Sequence, residues 1–183
     1  MKRYILWLSI LGLFSFKGFA QVDNIFSSVP VVNGKVVFQQ FIHADPNLSD
    51  DQKYAILSQW GKDHFPSGAS LLSIRFDEKN KSLTVNAKTN LSLPQNKANA
   101  SKVAMTYRFD ASIANMGCML VIRDISYQLP NGDPVKPAMA ESVITDSAIS
   151  SASGNDRDLN NAVRKSTLLF FNQLYSKLNQ VFE

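Results

Sequence analysis

The chain has 183 residues, 45% of them hydrophobic, with 19 basic and 15 acidic side chains and a formal net charge of +4. That balance lacks the basic footprint of a nucleic-acid-binding domain. The single cysteine, Cys118, excludes an internal disulfide, and the length suits one domain with one core.

The N-terminus reads as a secretory signal: basic Lys2 and Arg3, a 13-residue apolar run from Tyr4 to Phe16, then small Gly18 and Ala20 two apart. Cleavage is expected between Ala20 and Gln21. The run is shorter than the roughly 20 residues a membrane-spanning helix needs, and Lys17 ends it, so no transmembrane segment is expected after cleavage. Three of the 19 basic residues lie in residues 1–20, which hold no acid, leaving 16 basic against 15 acidic side chains. The protein is thus expected to be exported, with no nucleic-acid partner.

Residues 21–34 show no period, and Pro30 with Asn33-Gly34 marks a turn, so this stretch reads as a mobile leader to a domain spanning 35–183. Val36, Phe38 and Ile42 share one face of a first strand. Val37 and Phe41 lie on the other with Gln39 and His43. Asp45-Pro46-Asn47 breaks the strand, and Ser49-Asp50-Asp51-Gln52 has the form of a helix capping box. It predicts a helix over 50–64, closed by Pro66 and Gly68.

Three alternating strands follow, with Leu72, Ile74 and Phe76, then Leu83, Val85, Ala87 and Leu91, then Val103, Met105, Tyr107 and Phe109 on their inner faces. In a fifth strand the apolar side chains Cys118, Leu120 and Ile122 give way to Ile125, Tyr127 and Leu129, which requires a bulge near Arg123-Asp124. Residues 130–156 are weakly patterned and read as a long loop. Leu159, Val163, Thr167, Phe170, Leu174, Leu178 and Val181 recur at three and four, giving a terminal helix begun by Asn155 or Asp156.

The predicted fold class is α+β, an antiparallel sheet with helices on one face in the order β-α-β-β-β-β-α. Its core is expected to hold Phe38, Leu57, Trp60, Ile74, Val85, Tyr107, Phe109, Val163, Phe170 and Leu174. That order, the opening Val32-Asn33-Gly34-Lys35-Val36-Val37-Phe38, the capped helix containing Trp60 and the long last helix resemble a family of exported proteins of Gram-negative bacteria. This is domain-of-unknown-function family 4468, described as having a TATA-box-binding-protein-like fold, and the expected architecture is accordingly TBP-like and helix-grip-like. The resemblance implies a fold and a periplasmic or cell-surface location, and carries over no functional residues. The sheet face that grips DNA in the namesake fold has mixed charge here (Arg75, Asp77, Lys88, Arg108, Asp110), so DNA binding does not transfer with the fold.

Catalytic and metal motifs are sparse. His43 and Asp45 form a His-x-Asp and His64 is the only other histidine, one ligand short of a zinc site and better read as solvated side chains. The Asp45 to Asp50 stretch lacks the glycine and glutamate of a calcium loop. No Gly-x-Ser-x-Gly, P-loop or dinucleotide fingerprint is present. No cofactor, metal or catalytic residue is therefore assigned. The expected function is a non-enzymatic binding module of the cell envelope, for an envelope protein or ligand, with Val37, Gln39, Phe41 and His43 as the interaction surface. The alternatives are a leader folded back over Val37 and Phe41, and a hydrolase-type enzyme or small-molecule carrier whose site is dispersed in sequence.

Overall fold

A computed structural model describes residues 24–68, 70–94, 102–130, 132 and 135–183. Residues 1–20 and the Ala20–Gln21 cleavage point lie outside them. The described chain opens on a small hairpin of Val31–Val32 (β1) and Lys35–Val36 (β2). Asn33 and Gly34 turn it with φ of 50° and 75°. Positive φ at both central residues is the geometry that Asn-Gly adopts most readily between twisted strands.

The main sheet is antiparallel, with Phe38–His43 (β3), Leu71–Asp77 (β4), Ser82–Ser92 (β5), Lys102–Ala114 (β6) and Gly117–Gln128 (β7) in the spatial order β3-β7-β6-β5-β4. The helix Asp50–His64 (α1) carries the chain from one sheet edge to the other. It starts as the capping box requires: Gln52 N–H donates to the Ser49 hydroxyl, and the Gln52 carboxamide accepts from the Ser49 N–H. A Cβ at Gly61 would stand 2.6 Å from the Leu83 side chain, so glycine lets α1 lie close on β5. Lys53, buried, pins the first turn of α1 to the β6–β7 connection, donating to the Asn115 carbonyl at 2.6 Å and pairing with Asp50 at 3.2 Å.

One sheet face and two helices form the core. Phe38, Ile42, Leu83, Val85, Met105, Phe109, Leu120 and Ile122 are buried on that face. Trp60 of α1 meets Phe109 with ring centroids 5.5 Å apart. From the terminal helix Gly154–Asn179 (α3), Phe171 meets Phe38 at 4.9 Å. The switch of face in β7 has the expected cause. Thr106 opposes Ser126 and Arg108 opposes Arg123, which leaves one extra residue in β7, and Asp124 there has φ 53°.

Four expectations are corrected. The stretch assigned to a mobile leader is docked from its described start. Phe26 is buried, packs edge-on against Phe38 at 5.2 Å, and exchanges two backbone hydrogen bonds with the Asn172 carboxamide, at 2.9 and 3.1 Å. The apolar face of Phe26 outweighs the low patterning around it. In β4 the pairing shifts between Leu71 and Ser73, so Leu71 turns inward and Leu72 is 56% exposed; Ile74 is only half-buried at this sheet edge.

Residues 130–156 are not a plain loop. Ala138–Met139 (β8) pairs with the end of β7, a 3-10 turn follows at Ala140–Ser142, and Asp146–Ser151 (α2) precedes α3. Ala140, Val143 and Ile144 are buried, so short segments hide a real core contribution that has no period to reveal it. Finally, α3 begins two or three residues earlier than expected, with Ser153 as N-cap, and buries Phe171 while Phe170 is half-buried; Val181, beyond its end, is exposed. The eight other residues of the expected core, from Phe38 to Leu174, are buried.

Candidate functional site

The sheet face opposite α1 and α3 is covered by no described element, and β3, at its edge, pairs on one side only. Register places Gln39 opposite Val121, Phe41 opposite Met119 and His43 opposite Gly117. Since alternate residues share a face, Val37, Gln39, Phe41 and His43 line up with Met119 and Val121 of β7. Val37 and Phe41 are half-buried, as are Met119 and Val121, while Gln39 and His43 are exposed. The His43 ring meets Phe41 edge-on at 5.0 Å, and Gln39 Nε2 lies 3.6 Å from the Met119 sulfur.

The four expected surface residues therefore share one outward strip. Sequence reading missed its other half. The signal was present in Cys118-Met119-Leu120-Val121-Ile122, where apolar residues on consecutive positions mark a strand that is apolar on both faces. Among the described residues of the leader, Phe26 folds away from the strip onto the helical side, against Phe38 and Tyr175.

Beside the strip lies a charged cluster that spans three strands. Asp110 of β6 accepts from Arg108 at 2.9 to 3.1 Å, from Arg123 of β7 at 3.1 Å and from the Thr84 hydroxyl of β5 at 2.8 Å. Burial alone would raise the Asp110 pKa, but the hydrogen bonds from Arg108, Thr84 and Arg123 and the Arg108 charge outweigh it and hold the carboxyl below its ordinary range. The cluster thus presents two guanidiniums around one carboxylate next to an apolar strip. Such a border orients a partner more than it adds affinity.

The remaining candidate groups do not converge. Cys118 is buried, with its thiol pushed up to about 12 by burial, a state that disfavours the thiolate needed for nucleophilic work. Among the described residues no group of three or more His, Cys, Asp or Glu side chains could hold a metal ion. His64, expected to be solvated, instead stacks flat on Trp60 at 4.8 Å. Burial, and then the charge of Lys177, lowers its pKa, so the ring is neutral at pH 7. No helix among the described residues is long and apolar enough to cross a membrane.

Comparison with known proteins gives a consistent result. No curated protein matches the chain. A DUF4468 family protein from Bacteroides ovatus, solved by crystallography, is similar over 86% of this chain and 91% of its own, with a TM-score of 0.70 and 18% identity. A TBP-like protein from Parabacteroides distasonis is similar over 84% of this chain and 96% of its own, with a TM-score of 0.67 and 22% identity. At these identities the two structures show a common fold. Residues 38–128 match the family described as a domain of unknown function (DUF4468) with TBP-like fold, which is the span from β3 to the end of β7. Through that span the chain belongs to the DUF4468 family.

Proposed function

We propose that the protein is a non-enzymatic binding module of the bacterial cell envelope, exported with loss of residues 1–20, that engages an envelope protein through β3 and the open sheet face. The observation that carries this reading is the strip of Val37, Phe41, Met119 and Val121 beside the free edge of β3. An edge strand offers unpaired backbone groups to an extended segment, and alternate side chains of that segment then fall on the same strip. The partner is accordingly an extended protein segment with apolar residues at every second position. Arg108, Asp110 and Arg123 border its path and favour an acidic flank, since the cluster carries one more positive than negative group.

A photoreactive amino acid at Gln39 tests the reading, with one at Asn86, far along the same face, as control. A discrete protein adduct in envelope extracts is expected from position 39 and none from 86. Phe41→Ser removes the largest of the four apolar side chains of the strip, and should abolish that adduct while Tm stays within about 4 °C of wild type. Unchanged adducts together with a clearly lowered Tm would mean that Phe41 serves the fold, and the association reading would be abandoned.

A further inference from the structure

On the helical side, away from the strip, the C-terminal half of α1 and the end of α3 leave between them a groove of about 620 Å³. The volume falls within the range of small-ligand sites. From α1 it is lined at 55, 56, 59, 60, 63 and 64, which are two adjacent stripes at helical spacing. The groove therefore follows α1 for ten residues, a length of about 14 Å at the rise of an α-helix. Lys177, Gln180 and Val181 form the opposite wall.

The chemistry along it is graded. Ile56, Val181 and the edge of the buried Trp60 make an apolar floor. The polar groups gather at the rim, and they are not equivalent. Both carboxylate oxygens of Asp63 already accept from Gln59 Nε2, at 2.9 and 3.0 Å. His64 is stacked on Trp60 and held neutral. Lys177 makes no ion pair with a described residue, and its charge is felt at His64, which puts an unpaired ammonium beside the groove. An open, mostly apolar path with, among the described residues, one cation free of ion pairs at its edge fits an alkyl chain ending in an anion.

We propose that this groove binds a free single-chain aliphatic carboxylate, with the chain along Ile56, Trp60 and Val181 and the carboxylate on the Lys177 ammonium. The site goes beyond the association assigned to the sheet face and shares no residue with it. Phe41→Ser therefore leaves carboxylate binding unchanged, and the two readings stand or fall separately.

Trp60 supplies the readout, because the only other tryptophan is Trp7. In the full chain carrying Trp7→Phe, dodecanoate below its micelle concentration should quench Trp60 fluorescence saturably at one site. Dodecyltrimethylammonium and dodecanol should bind at least about tenfold more weakly, the ratio one charge-assisted contact provides. Lys177→Glu should cost a similar factor, Lys177→Arg should restore binding, and Ile56→Lys should block the chain path. Lys177 is exposed, so an unchanged circular dichroism spectrum separates loss of binding from loss of fold. Equal affinity for the three amphiphiles, or a Lys177→Glu variant that binds as wild type, would overturn the proposal. So would a response confined to vesicles of phosphatidylglycerol, or a dimer that Ile56→Lys dissociates without any carboxylate binding, which would make the occupant a membrane or a second copy.

Discussion

Phe170 and Phe171 are neighbours on α3 and meet different surroundings. Phe171 is fully buried, wedged between Phe38 at 4.9 Å and Tyr107 at 5.7 Å. Phe170 is half-buried, edge-on to Tyr107 at 5.6 Å and open on its other side. Truncating a buried phenylalanine costs about 3 to 5 kcal/mol, because the lost transfer energy adds to an unfilled cavity. Phe171→Ala should fall in that range, whereas Phe170→Ala should cost about 1 to 2 kcal/mol, since the site is already partly solvated. Urea unfolding of both variants decides it. Equal losses, or a larger loss at Phe170, would mean that α3 is rotated about its axis by one residue from the arrangement described.

At the scale of elements, the hydrogen bonds between the leader and α3 all come from one side chain. Asn172 is almost fully buried, and its carboxamide satisfies both the N–H and the carbonyl of Phe26. Removing it strands two buried backbone groups, each worth about 1 to 3 kcal/mol if left unpaired. The segment is short enough to undock instead, which caps the loss. Asn172→Ala should therefore lower stability by about 2 to 4 kcal/mol and open residues 24–36 to limited proteolysis. A variant as resistant as wild type would show that the Phe26 ring alone holds the segment.

What could be read from sequence at this scale follows from how strongly each element repeats. The strands β5, β6 and β7 alternate cleanly because one face is buried along their whole length, and even the bulge at Asp124 shows as a slip in phase. The capping box fixes the start of α1, since its groups act within four residues. Leu72 misleads because the register of β4 against β5 shifts between Leu71 and Ser73, at the start of the strand, where too few residues precede the shift for the change of phase to show. The phase of α3 is ambiguous at Phe170-Phe171, where two adjacent aromatics each fit a spacing of three or four. Ala140, Val143 and Ile144 are invisible, because segments of two to six residues are too short to show a period. The surface strip was half legible: β3 displayed its second apolar face, while Met119 and Val121 needed the register of β7 against β3.

For the whole molecule, the proposed export makes a prediction that rests on the N-terminal sequence pattern. The described core starts at Phe26, six positions after Ala20. If export removes residues 1–20 as proposed, stability should be unaltered, while Lys2, Arg3 and Lys17 are lost and 16 basic side chains remain against 15 acidic ones. Gly18 and Ala20 supply the small side chains that a signal peptidase accepts ahead of the cut. Protein recovered from a periplasmic fraction should therefore have the intact mass of a chain beginning at Gln21. It should melt at the same temperature as the full chain made without export. Ala20→Phe, which puts a bulky side chain beside the scissile bond, should leave the longer species attached to the inner membrane through its apolar run. A periplasmic mass that still includes Met1, or a shortened chain clearly less stable than the full one, would break the link between the N-terminal pattern and processing, and the envelope assignment would lose its main support.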